Sequence, residues 1–78
     1  MNTQPSQFIP DTWTLVANSE VMIQFLSPGY LAFSDKGTPP DTLEGHPYNA
    51  GEKHISNGNI SIYIKAPKLS ITKIVITE

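Results

Sequence analysis

Cysteine is absent from this 78-residue chain, which excludes a disulfide framework and a thiolate metal site. Arginine is absent too. The five basic residues are Lys36, Lys53, Lys65, Lys68 and Lys73. Without guanidinium groups the bidentate reading of phosphate or guanine is lost. The scattered lysines form no basic stripe of the kind a nucleic-acid face carries. Charge of either sign is scarce, at 15% of residues with a net charge of −2, against about 25% in an ordinary globular chain. No apolar run approaches the roughly 18 residues of a membrane span. The opening MNTQPSQFIP has neither a basic n-region nor an apolar h-region, so no Sec-type leader is expected. Neither nucleic acid nor membrane is expected as a partner.

What the chain has is β-forming residues. The apolar fraction is 38%, too high at so low a net charge for disorder. Isoleucine recurs at Ile9, Ile23, Ile55, Ile60, Ile62, Ile64, Ile71, Ile74 and Ile76, and such branched residues favour strands. No segment reaches a helix-length amphipathic pattern. Alternation predicts strands over 12–17, 20–26, 30–34, 51–55, 60–66 and 70–78. Asn18-Ser19, Ser27-Pro28-Gly29 and Asn57-Gly58-Asn59 read as turns between them. Strands 20–26 and 30–34 are expected to form a hairpin. The expected fold is all-β, a small antiparallel β-sandwich of about six strands, with a small barrel as the alternative. Residues 1–11 read as an N-terminal arm and 12–78 as a single β domain.

Residues 35–51 hold three prolines and three glycines and lack any period, so they predict one long loop. Loops of that length usually bind something or pack on themselves. Asp41, His46 and Tyr48 are its binding candidates. Glu44 with His46, and Glu52 with His54, are spaced by two, which places each pair on one strand face. That set is chemically suited to zinc, yet no HExxH or Cys/His spacing is present. Solvated histidines are the expectation, with no metal and no cofactor. No GxSxG elbow exposes a serine, and loop carboxylates such as Asp35 and Asp41 suit turn formation. No catalytic residue is expected.

The size of the chain implies burial of only about 60% of its unfolded surface. A core of this scale rarely supplies more than about 3–5 kcal/mol, so a homo-oligomer is expected. Strands 20–26 and 70–77 carry apolar residues on both faces, which nominates Met22 and Val75 as interface residues. Tyr30 and Tyr63 lie on outward rows and suit an interface as well. Phe8 and Ile9, the apolar pair of the arm, are placed to seat in a neighbour.

The segments Ile23-Gln24-Phe25, Leu31-Ala32-Phe33-Ser34-Asp35, Ala50-Gly51-Glu52 and Ile62-Tyr63-Ile64-Lys65-Ala66 follow one another in a recurring pattern. Over about residues 13–77 the chain resembles short virion proteins of tailed phages and prophages, and the β-modules of phage tail fibres. It departs from that pattern at Ala50, where proline is usual, and at Pro67-Lys68-Leu69, where a glycine turn is usual. The resemblance implies a non-enzymatic structural subunit, a capsid decoration or tail-associated protein. It would be made in the host cytoplasm and located in the virion. Implied partners are copies of itself, with a trimer favoured, and other virion proteins. The alternative is a carbohydrate- or receptor-binding module that uses the 35–51 loop to hold a surface glycan.

Overall fold

A computed structural model describes residues 3–17, 20–34, 45–56 and 60–77. Eight strands follow in chain order: β1 Gln7–Ile9, β2 Thr14–Ala17, β3 Val21–Phe25, β4 Gly29–Ser34, β5 His46–Tyr48, β6 Lys53–Ser56, β7 Ser61–Lys65 and β8 Thr72–Thr77. All pairings are antiparallel. β4 pairs with β5, β3 with β6, β2 with β7 and β1 with β8. Each pair nests outside the one before, as in a single long ribbon whose tip lies between β4 and β5. The ribbon wraps on itself, so that β8 also pairs with β3 and β7 with β4. The result is two four-stranded sheets, sheet A in the order β1-β8-β3-β6 and sheet B in the order β2-β7-β4-β5. Eight strands in this order make a jelly roll, two Greek keys closed into a sandwich.

The antiparallel sandwich is therefore the fold, and the barrel alternative is set aside. The strand count rises from about six to eight because two short edge strands lie where no strand was expected. β1 falls inside the expected arm, where Gln7, Phe8 and Ile9 pair with Ile74, Lys73 and Thr72. β5 falls inside the expected loop. Its Pro47 cannot donate to a ladder, which an edge strand tolerates.

The expected hairpin between 20–26 and 30–34 does not form. Ser27 and Pro28 instead carry the chain from sheet A to sheet B. The step is tied to the start of β8: the Thr72 hydroxyl donates to the Pro28 carbonyl at 2.6 Å, and the Lys73 N–H donates to Ser27 Oγ at 2.8 Å. Strands 12–17 and 20–26 likewise lie in different sheets, as do 51–55 and 60–66. The turns expected at Asn18-Ser19 and Asn57-Gly58-Asn59 lie outside the described residues. Period-2 alternation sets which side of a strand faces inward. Both sheets of a sandwich demand the same alternation, so it is silent on which sheet receives the strand.

The core lies between the sheets. Ile23, Phe25 and Ile74 from sheet A meet Leu31, Ile62 and Ile64 from sheet B, all with no exposed surface. Ile9, Val21 and Ile76 complete the cluster. Each such side chain contributes about 1.5–3 kcal/mol by leaving water. Gly29 opens β4 against Thr72 at the start of β8. A Cβ built there lies 2.8 Å from both Cγ2 and Oγ1 of Thr72.

Candidate functional site

Two surfaces emerge from this wrapping. The first is the side of the sandwich where β5 edges sheet B and β6 edges sheet A. Tyr48 is paired with Gly29, and His46 with the buried Leu31. His54 is paired with the buried Ile23. Residues directly opposite in a ladder share a face, so His46, Tyr48 and His54 all belong to inward rows at the open edge.

The connection between β5 and β6 holds this edge together. The Asn49 N–H donates to Glu52 Oε1 at 2.6 Å, and the Glu52 N–H donates to the Asn49 carbonyl at 3.1 Å. Gly51 adopts a φ of 89°, a conformation that favours glycine. Its N–H donates to the Phe25 carbonyl at 2.8 Å, and the Phe25 N–H donates to the Glu52 carbonyl at 2.8 Å. Inside, the Tyr48 ring stacks on Phe25 with centroids 4.7 Å apart and planes 7° apart. The Tyr48 hydroxyl and His54 Nδ1 are 3.0 Å apart, either one serving as donor according to the imidazole tautomer.

Phe33, His46, Pro47, Tyr48, Glu52 and His54 line an open cleft of about 450 Å³ at this edge. The Phe33 ring is 39% exposed and is flanked by both imidazoles, at 5.4 Å from His54 and 6.0 Å from His46 between centroids. Burial lowers the His54 pKa below 6.5, and the neighbouring His46 lowers it further. Burial also raises the Tyr48 pKa above 10.0, with the Glu52 carboxylate adding to the shift. Both shifts favour the neutral forms of the hydrogen-bonded phenol and imidazole. Among the described residues no three His, Asp or Glu side chains converge as metal ligands.

Of the expected loop-binding residues, His46 and Tyr48 meet in this cleft, while Asp41 lies outside the described residues. Glu44, the expected companion of His46, lies outside them as well. Phe33 was not expected at a site, and Glu52 and His54 were not among the expected binding residues. The spacings His46-x-Tyr48 and Glu52-x-His54 did carry a signal, since each pair shares a strand face. What joins the two pairs is the crossing from sheet B to sheet A.

The second surface is the outer face of sheet A. Met22 pairs with Ile55 and Thr77, Gln24 with Lys53 and Val75, and Phe8 with Lys73. Phe8 and Ile55 are each 68% exposed, and Leu26 adds to the apolar area. Three of the expected interface residues, Phe8, Met22 and Val75, therefore share one face. Tyr30 lies half-buried on the outer face of sheet B, where Lys65 Nζ sits 6.0 Å from its ring centroid and 5.1 Å from that of Trp13.

Two expected interface residues are corrected. Ile9 is 2% exposed and belongs to the core of its own chain, because pairing with Thr72 turns it inward. Tyr63 is 4% exposed, closed in between Leu15 and Ala32 on the adjacent strands.

Comparison with protein-family models, with curated proteins and with solved structures finds no match for this chain.

Proposed function

We propose that the chain is a non-enzymatic structural subunit of the phage-virion type, which self-associates through the outer face of sheet A. The observation that carries this reading is the convergence of Phe8, Met22, Leu26, Ile55 and Val75 on that one face. β3 and β8 are interior strands of sheet A, so their outward residues occupy the middle of the face rather than its rim. Apolar side chains gathered on one face, with Gln24, Lys53 and Lys73 among them, suit a contact surface.

The occupant is a second copy of the same chain. The broad side of the molecule is bounded by 33 × 27 Å. That is the scale of the about 800 Å² per partner that a standard interface covers. Charge supports self-pairing as well. Glu20 immediately precedes β3 at the Thr77 end of the face, while Lys53 and Lys73 lie toward the other end. A two-fold axis that runs β3 antiparallel to its copy brings the acidic end of one subunit to the basic end of the other. The trimer implied by the resemblance requires a heterologous contact, in which this face meets a different surface of the next copy. The jelly-roll strand order supports the virion reading by analogy, since viral capsid domains use that architecture, although one fold hosts many functions.

Light scattering across a dilution series tests the reading. The expected mass is a multiple of 8.6 kDa, twofold for the isologous contact and threefold for the heterologous one. Met22→Lys and Ile55→Lys should each shift the mass toward the monomer with the β circular dichroism intact. A wild-type monomer throughout the micromolar range would refute it.

A further inference from the structure

We propose that the cleft at the β5–β6 edge is a saccharide site, which takes one neutral pyranose ring with the Phe33 face as its platform and the imidazole and carboxylate groups as its polar contacts. This goes beyond self-association and uses a different surface.

The cleft is open to solvent and has the volume of a small-ligand site. About 450 Å³ is within the range of small-ligand sites, roughly 300–1,000 Å³. The lining groups then select the ligand. Among the described residues no lysine lines the cleft, and the chain has no arginine, so those residues offer an anion no lysine or arginine counter-charge. Two imidazoles and one carboxylate are enough in number for zinc, but among the described residues they do not converge as metal ligands.

What remains is a set matched to hydroxyl groups. A sugar hydroxyl both donates and accepts, and so do a neutral imidazole and a phenol. Burial favours the neutral form of His54. With Nδ1 occupied by the Tyr48 hydroxyl, its other ring nitrogen remains for a ligand. Glu52 uses Oε1 to accept the Asn49 N–H, which leaves Oε2 as an acceptor. His46 supplies a second imidazole, 6.0 Å from the Phe33 ring centroid. Beside them lies Phe33, 39% exposed, whose apolar ring suits the C–H face of a pyranose. The rigid β5–β6 turn fixes the polar groups relative to that platform.

The test uses ¹⁵N-labelled protein titrated through the millimolar range with the methyl glycosides of glucose, galactose, mannose and N-acetylglucosamine. A longer oligosaccharide of any sugar that binds is titrated in parallel. At least one glycoside should give saturable shifts at Phe33, His46 and His54. Phe33→Ala should weaken binding at least about tenfold, while Phe33→Tyr keeps it and Ile55→Lys on the other face leaves it unchanged. Equal affinity for the glycoside and the oligosaccharide supports a free sugar as the ligand. Tighter binding of the oligosaccharide supports a glycan chain. No saturable shift with any glycoside, affinity unchanged in a folded Phe33→Ala, or shifts at these residues only with zinc chloride would each overturn the proposal. Molecular mass is read separately, so failure of the saccharide site and failure of self-association are distinguishable.

Discussion

Replacing Gly29 with alanine adds one methyl group at the point where β4 meets β8. Its carbon would sit 2.8 Å from Thr72 Cγ2 and Oγ1, and 3.1 Å from Phe25 Cε2. Carbon atoms at rest lie about 3.5–4.0 Å apart, so the structure must open by several tenths of an ångström in two directions. Thr72 cannot swing away freely. It has no exposed surface, and its hydroxyl is committed to the Pro28 carbonyl at 2.6 Å. Overpacking of this kind costs about 1–3 kcal/mol. Alanine also narrows the unfolded ensemble, which returns about 0.4–1 kcal/mol. The expected net loss is about 0.5–2 kcal/mol. Urea denaturation followed by circular dichroism measures it. At a slope of about 1 kcal/mol/M for a small domain, the midpoint should fall by roughly 0.5–2 M. A Thr72→Ala background removes the two nearest atoms and leaves only Phe25 Cε2 at 3.1 Å, so there the alanine at position 29 should cost less, with a coupling of about 0.5–3 kcal/mol in the double-mutant cycle. A Gly29→Ala midpoint at or above that of the wild type would refute the close approach of the two sheets.

Ile62→Ala should cost about 2–5 kcal/mol, because Ile62 has no exposed surface, whereas the outward Ser61→Ala should stay within about 0.5 kcal/mol. Equal losses in denaturant melts would place the β7 register one residue off. Because the His54 pKa is lowered on folding, the unfolded chain binds that proton more readily. The resulting stability is complete above pH 6.5, falls as the pH drops below 6.5 and levels off below the folded pKa. His54→Gln should flatten that slope, and a wild-type curve already flat there would contradict the burial of His54. Tyr48 behaves in the opposite sense. Its folded pKa lies above 10.0, so stability is lost as the pH rises past 10.0, and Tyr48→Phe should abolish that part of the alkaline decline. Leu69, 90% exposed at a φ of 62°, bears a left-handed conformation costing about 1–2 kcal/mol. Leu69→Gly should recover up to about 1 kcal/mol after the entropy lost by glycine, and a lower thermal midpoint would count against the strain.

The inward rows were legible in the residues themselves. Val21, Ile23 and Phe25, then Ile62 and Ile64, then Thr72, Ile74 and Ile76 alternate in the sequence and are all buried. The partners of those strands were not legible. A local turn suggests a hairpin, yet β4–β5 are the only sequential strands that pair among those described. Their link is the longest, and Pro47 disguises β5 as loop. Gln7–Ile9 hid for a similar reason: three residues show too little alternation to stand out, and their pairing with Thr72, Lys73 and Ile74 is a property of the far end of the chain. The cleft was half legible. His46 and Tyr48 were marked by their loop, but Phe33 and His54 reach the same edge only through the wrapping of the two sheets. The burial of Tyr63 was hidden because an outward position on a strand does not reveal what lies beside it on the sheet.

The nesting of the strand pairs sets a schedule for a chain made from its N-terminus. The innermost pair, β4 with β5, is complete once residue 48 has emerged. The outermost pair is not, because Ile9 meets Thr72. At translation rates of about 5–20 residues per second, Phe8 and Ile9 wait roughly 3–13 s for their partner strand. β8 also completes β3, so its late arrival leaves two strands of sheet A waiting together. A nascent chain stalled before Thr72 therefore shows the translation machinery and its chaperones the inward row of Val21, Ile23 and Phe25 with the Ile74 and Ile76 side missing. Release of such a chain yields an open sheet edge rather than a smaller version of the fold.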